Sequence, residues 1–261
     1  MIEFPDYPTT FWITAVLAVI LVGIAKAGFG GGVGVIATPL MALTIPVADA
    51  AALLLPLLII IDMLSIRYYW GRYHRHSIKI LLPFALVGIG VGALLFSTFS
   101  DNERVLKVGI GILSVAFVIW RAVQKVVLGA LEERPLSDNA GRVLGALAGF
   151  TSTLAHAGGP PVAIYMLPQN LPRDLFVGTT VLFFTVVNLV KLVPYGALGL
   201  LEVGNLLTIL ILSPFCYIGV RLGLYLNGRF TDTWFNRVVY TLLLLTGTQL
   251  ILGQSLISLL F

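Results

Sequence analysis

Three stretches of this chain, Tyr7 to Ala25, Ile80 to Ser100 and Val238 to Phe261, run without a single charged residue. Each is near the ~20 residues that a helix needs to cross a bilayer, and that length limits the folds open to the sequence. Composition agrees: 58% of the 261 residues are hydrophobic and 11% charged, with a mean hydropathy of +1.00, against about 25% charged residues in a soluble domain. No run alternates apolar and polar residues as a membrane barrel strand would, so the spans are expected to be helices. The chain reads as an all-α polytopic membrane protein. Its net charge of +4 does not call for nucleic acid, because the basic residues cluster at span ends, where they set orientation. Cys216 is the single cysteine and excludes an internal disulfide. The start, MIEFPDYPTTFW, lacks a basic n-region and a cleavage site, so the first apolar segment is expected to belong to the mature protein.

Hydropathy and breaks place apolar segments at about 9–27, 33–44, 48–70, 78–99 and 105–125, then at 142–155, 161–168, 173–196, 203–226 and 233–256. Between the two sets lies ALEERPLSDNAG, the one long polar stretch, which reads as a linker. We therefore divide the chain into a first repeat at 1–126, a cytoplasmic linker at 127–141 and a second repeat at 142–261. At an offset of about 126 residues, Pro46 falls on Pro172, Gly32 on Gly158 and Asp62 on Asn188. Asp49 and Asp174 match one residue out of register, and the order of breaks and loops repeats.

Charge tests the relative orientation of the halves. The loop IRYYWGRYHRHSIK carries Arg67, Arg72, Arg75 and Lys79, whereas its counterpart GALGLLEV has no basic residue. Conversely, Arg221, Arg229 and Arg237 surround the 227–233 loop, whose first-half partner opens with Asp101 and Glu103. Equivalent loops are thus expected on opposite faces, which requires an odd number of crossings in each half. The expected architecture is two inverted-topology repeats, each a broken or re-entrant helical hairpin followed by three transmembrane helices. Both termini are then outside.

The breaks themselves, GFGGGVG and HAGGPPVAIYMLP, put non-helical backbone at membrane depth, where only protein or a water-filled cavity can satisfy it. A half-helix is expected to start near Val33 and another near Pro161, each offering free N–H groups and a positive dipole end to an anion. Gly30, Gly31, Gly32, Gly158 and Gly159 would let a ligand approach the backbone, or else serve close helix packing. For Gly88 to Gly92, inside an uninterrupted span, packing is the expectation.

KAGFGGGVGVIATPLM, its weaker echo AHAGGPPVAIYMLPQNLP, and the duplicated layout over nearly the whole chain resemble the TauE/SafE family of sulfite and sulfonate exporters, also called the toluene sulfonate uptake permeases. The resemblance implies a bacterial inner-membrane transporter of small sulfur-containing anions, built from two related halves. The second motif departs from a G-x-G-G-G pattern in having His156 and Ala157 before Gly158 and Gly159.

Ionisable residues deep in a span are costly and therefore functional candidates. Lys26 stands just before the first break, placed to hold an anion or to snorkel to an interface. Lys191, near Asn188, faces the same choice. His156 adjoins the second break and can hydrogen-bond an anion, carry a proton, or be satisfied by backbone carbonyls. Asp62 is open to proton coupling or to an ion pair with nearby Arg67. Asp49 and Asp174 begin spans and read as complements to the helix dipole. Thr38, Ser152, Thr153, Tyr165, Gln169 and Asn170 flank the breaks as candidate oxyanion binders, and Tyr165 is carried into the substrate site. His74 and His76 read as parts of an interfacial anchor, not metal ligands.

The leading function is secondary transport, most simply export, of a small sulfur-containing anion such as sulfite or an organosulfonate, by alternating access at a midplane site. No Walker A sequence is present, and no cofactor or metal is expected. The expected partners are the anion and membrane lipid. An anion channel is the alternative. An intramembrane hydrolase using Ser152 or Thr153 with His156 is a weaker one, since no G-x-S-x-G elbow occurs.

Overall fold

The computed structural model describes residues 7–30, 34–100, 102–127, 135–201, 206–227, 229 and 232–253. Those residues form helices and connecting turns, with no strand among them. The first half contains α1 (Thr9–Phe29), a 3-10 turn (Gly34–Ile36) leading into α2 (Ala37–Met41), α3 (Val47–Tyr69), α4 (Arg75–Ser100) and α5 (Glu103–Val127). In the second are α6 (Asp138–Ala155), α7 (Gly159–Met166) with a 3-10 turn (Leu167–Gln169), α8 (Arg173–Ala197), α9 (Leu206–Leu226) and α10 (Asp232–Leu252). Among the described residues α1, α3, α4, α8 and α9 are long and apolar enough to cross a membrane. The chain is an integral membrane protein.

Local chemistry explains most boundaries. Pro46 and Pro172 stand extended immediately before α3 and α8, where a residue without an N–H costs a helix nothing. Gly30 ends α1 in the left-handed region at φ 79°, a conformation that glycine adopts without strain. The start of α6 differs from the hydropathy reading: it begins at Asp138, four residues before 142, because the Ser137 hydroxyl accepts from the Ala140 N–H. A polar first turn with a side-chain cap is invisible to hydropathy.

The first break does turn the chain back. Thr14, early in α1, meets Thr44, just before α3, through their hydroxyls at 3.2 Å. The arms are unequal, however: α1 has 21 residues and α2 only 5.

The most extensive helix pairings all join one half to the other: α4 with α6, α1 with α9, α5 with α10 and α3 with α8. Residue contacts fix their directions. Leu81 lies on Gly145 and Ala85 on Gly149, so α4 and α6 run parallel; Ile20 lies on Gly219 and Ile24 on Gly223, so α1 and α9 do too. By contrast α3 and α8 are antiparallel, with Ala51 and Leu55 near Tyr195 and Tyr69 near Val177. So are α5 and α10, where Arg104 donates to the Ile251 carbonyl and Phe117 meets Tyr240. At Gly88, Gly145 and Gly149 an added Cβ would strike the backbone of the facing helix. Gly88 and Gly92 therefore serve packing against α6, while Gly90 faces open space.

Candidate functional site

Where the long α3 and α8 cross, Asp62 and Asn188 meet. The Asn188 amide donates to one carboxylate oxygen of Asp62 at 2.6 Å, and the Lys26 ammonium holds the other at 2.6 Å. Asp62 and Asn188 are 126 positions apart, the offset at which the two halves align in sequence. Asp62 is 0% exposed, and its partner is Lys26 on α1 rather than Arg67 on its own helix. Lys26 therefore does not snorkel to an interface. Its ammonium lies 5.4 Å from the centre of the Phe184 ring.

A second polar group adjoins the first. Lys191, also 0% exposed, has three neighbours: the Ser152 carbonyl at 3.0 Å, the Ser152 hydroxyl at 3.0 Å and His156 Nδ1 at 2.7 Å. His156 Nε2 lies 2.8 Å from the Ala51 carbonyl in the second turn of α3. A carbonyl can only accept, so Nε2 carries the hydrogen, and Nδ1 of the neutral ring accepts from Lys191. Among the described residues, no carboxylate forms an ion pair with Lys191.

Local structure explains why these side chains converge. α6 ends at Ala155, and His156 caps it in the left-handed region at φ 52°, the same role that Gly30 has for α1. A non-glycine residue there is strained by about 1–3 kcal/mol unless its surroundings hold it. Contacts to Ala51 and Lys191 do so. Both breaks thus present C-terminal helix ends, whose partial negative charge suits a cation. Lys26 lies in the last turn of α1, and Lys191 reaches the last turn of α6.

This revises the expected source of anion attraction. Of the first four N–H positions of α7, Pro160 and Pro161 have none. Few free donors remain at that helix start, and the 3-10 turn and five-residue α2 after the first break make a poor dipole. The positive charges beside the breaks are those of Lys26 and Lys191.

Lys26, Ser152, His156, Asn188 and Gly159 line a small cavity, closed on its other side by Val22, Leu58 and Phe184. Its open volume of about 20 Å³ is on the order of what one water needs. A substrate larger than water requires the walls to part.

Other expected site residues lie elsewhere. Gly158 packs on α6, where an added Cβ would meet the Ala148 carbonyl; at Gly30 it would meet the Phe176 ring. Gly31 and Gly32 are outside the described residues. Tyr165 is buried against Gly141 and Ile80 in the core between α4, α6 and α7. The Thr38 hydroxyl is buried in α2, with no hydrogen-bond partner among the described residues. Thr153 donates to the Gly149 carbonyl, and Gln169 bridges the Ser77 hydroxyl and the Tyr165 carbonyl. Asn170 forms an exposed left-handed turn. Asp49 and Asp174 do stand in first turns of helices, and Asp174 pairs with Arg72 at 3.0 Å. Phe184 and the Ala51 carbonyl were missed by sequence reasoning; an apolar wall and a backbone atom leave no chemical signal in a hydrophobic span.

A family model described as sulfite exporter TauE/SafE matches residues 15–250. The chain belongs to the TauE/SafE family. No curated protein and no solved structure matches it. Family membership makes the chain a membrane transporter, and the cavity is read accordingly. It also weighs against the hydrolase alternative, as does the geometry: His156 is directed at Lys191 and Ala51, not placed as a base on Ser152.

Proposed function

We propose that this chain is a secondary transporter, working chiefly as an exporter, of a small sulfur-containing anion such as sulfite or an organosulfonate. The anion sits at the membrane midplane, in the cavity between the two halves, and alternating access exposes it to one side at a time. The observation that carries this reading is the charge of the cluster: two buried lysines converge with one carboxylate. Lys26 is balanced by Asp62 and still has N–H groups to offer, while Lys191 has no acidic partner among the described residues. Asn188, the Ser152 hydroxyl and the Gly159 backbone supply neutral donors around the same space, and Phe184, Leu58 and Val22 would face a substituent on the anion.

The halves, residues 1–126 and 142–261 joined by the cytoplasmic linker at 127–141, work as inverted repeats in this scheme. Its support is the set of cross-pairings: equivalent helices α3 and α8, and α5 and α10, meet antiparallel, and the α1–α9 contact mirrors that of α6 with α4. Orientation follows from charge. Arg72 and His76 in the basic loop pair with Asp174 and Asp138, gathering that loop and the start of α6 on one face, which we assign to the cytoplasm of a bacterial inner membrane. Both termini then lie on the periplasmic side.

A thermal-shift titration of purified protein with sulfite, thiosulfate, sulfate, sulfoacetate, taurine and chloride at constant ionic strength tests the site. A ligand at 100 times its Kd stabilises by about 2.7 kcal/mol. Selective stabilisation by one sulfur anion, lost in Lys26→Ala, is expected. Equal response to all six removes the sulfur-anion assignment.

A further inference from the structure

The two lysines differ in what their surroundings permit. Lys26 is held 2.6 Å from a carboxylate oxygen whose partner oxygen is held by Asn188; removing its proton would strand Asp62. Lys191 has three polar neighbours of two kinds. The Ser152 carbonyl and His156 Nδ1 accept only, but the Ser152 hydroxyl can accept or donate. As an ammonium, Lys191 donates to all three. As a neutral amine it donates to the carbonyl and to Nδ1, and its lone pair accepts from the Ser152 O–H. All three contacts to Lys191 are kept in both states without movement of a heavy atom; only the Ser152 hydrogen swings.

Ser152 lines the cavity, so its hydroxyl hydrogen can turn either to Lys191 or toward that space. When Lys191 is an ammonium, the Ser152 oxygen accepts from it, and the O–H is released toward an occupant. When Lys191 is neutral, the O–H is turned back and unavailable. The remaining charged or titratable groups facing this spot are Lys26 from α1, Asp62 from α3 and His156 from α6. One turn further along α8, Tyr195 has its hydroxyl committed to the Thr153 carbonyl. With the cavity empty, an ammonium at Lys191 is opposed only by the C-terminal dipole of α6, about half an elementary charge. An anion in the cavity completes the balance.

We propose that Lys191 carries the proton that accompanies the transported anion, with the Ser152 hydroxyl coupling the two sites. Loading is one proton taken from water by the Lys191 amine together with one negative charge entering the cavity; release reverses both. The loaded and empty clusters are then close to the same net charge, so the site can change its access in either state, and net export is driven by a cytoplasmic anion excess that outweighs the inward proton gradient. This rests on the transporter reading above. It moves coupling from Asp62 and His156, whose polar atoms are already committed, to a lysine.

Methanesulfonate is a suitable probe because it stays a monoanion across the working pH range. In proteoliposomes with an internal pH dye, labelled methanesulfonate uptake is expected to bring about one proton per anion. Its apparent affinity in detergent is expected to weaken up to tenfold per pH unit where Lys191 loses its proton. In Lys191→Arg, whose charge is permanent, any counterflow exchange that remains carries no proton, and the pH dependence of affinity disappears. Ser152→Ala removes a small hydroxyl with little risk to folding, and flattens the pH dependence while weakening the anion. Proton movement that survives in both variants overturns the proposal, as does wild-type methanesulfonate flux without protons, which leaves the transporter reading intact. Absence of saturable exchange of either methanesulfonate or sulfite defeats the transporter reading itself, and this inference with it.

Discussion

The two helix breaks, equivalent in the proposed repeat scheme, are built from different chemistry. At the first, Gly30 caps α1 without strain, and Lys26 from the same helix is locked to Asp62. At the second, His156 caps α6 in the same left-handed conformation, and a lysine from another helix, Lys191, comes to rest on it. At the 126-residue offset, Lys26 corresponds to Ser152 and Lys191 to Ser65, which merely bonds to its own helix at Ile61. In the proposed repeat scheme the backbone frame is duplicated, but the ionisable groups are distributed so that one half holds a fixed ion pair and the other a lysine with no ion pair among the described residues. A symmetric frame is thus compatible with a division of labour between the halves.

The largest effect should come from breaking the fixed pair. Asp62→Ala leaves the Lys26 ammonium buried and unpaired, at a cost of about 3–5 kcal/mol. Thermal unfolding in detergent should fall by roughly 10 °C, at about 2–4 °C per kcal/mol for chains of this size. Lys26→Met combined with Asp62→Leu should recover most of that loss. Lys191→Met strands no carboxylate and should cost clearly less; an equal cost would erase the distinction between the halves.

Next in size are the shared contacts that hold the two frames together. Gly149→Val drives a side chain into the Ala85 carbonyl and should destabilise by at least about 1–3 kcal/mol. Gly90→Ala, in open space on the same face-to-face pair of helices, should change stability by less than about 0.5 kcal/mol. Comparable loss at both would mean that α4 and α6 do not approach as described.

Exchanging the caps gives a smaller signal. Gly30→Ala introduces left-handed strain, of order 1 kcal/mol, and crowds Phe176. His156→Gly relieves such strain but removes the hydrogen bonds to Ala51 and Lys191, each worth about 1 kcal/mol. The net loss of about 1 kcal/mol should be read by melting temperature at one pH. Smallest of all, Asp174→Asn breaks a half-exposed ion pair with Arg72, worth about 0–1 kcal/mol, and the difference should vanish in high salt.

Much of this frame was legible in the sequence because bilayer thickness and backbone satisfaction leave few choices. The ten apolar segments fall on the ten helices, and the duplicated prolines at 46 and 172 mark the starts of α3 and α8. Ionisable character placed Lys26, His156 and Lys191 on the candidate list, the 126-residue offset placed Asn188 beside them, and all four meet in one cluster. What sequence could not supply was pairing across distant helices. Arg67 is near Asp62 in sequence, yet Lys26 is its partner, since only the crossing of α1 with α3 decides which cation is within reach. Tyr165 is a hydroxyl near a break as Ser152 is, but its ring is buried in the core between α4, α6 and α7, beside Gly141. Motif glycines were ambiguous for the same reason: Gly158 packs and Gly159 lines the cavity, though they are neighbours.

The contact between Asp62 and Asn188 has a consequence for how such a chain could arise. If the two halves descend from one gene product that once assembled with a second copy of itself, the residue now at both positions would have faced its own twin. Two carboxylates at 2.6 Å cannot both stay ionised. Fusion into a single polypeptide lets one twin become an amide that donates to the other, an arrangement no identical pair can reach. Joining the ancestral subunits would therefore have done more than fix their stoichiometry: it would have made an unequal centre heritable.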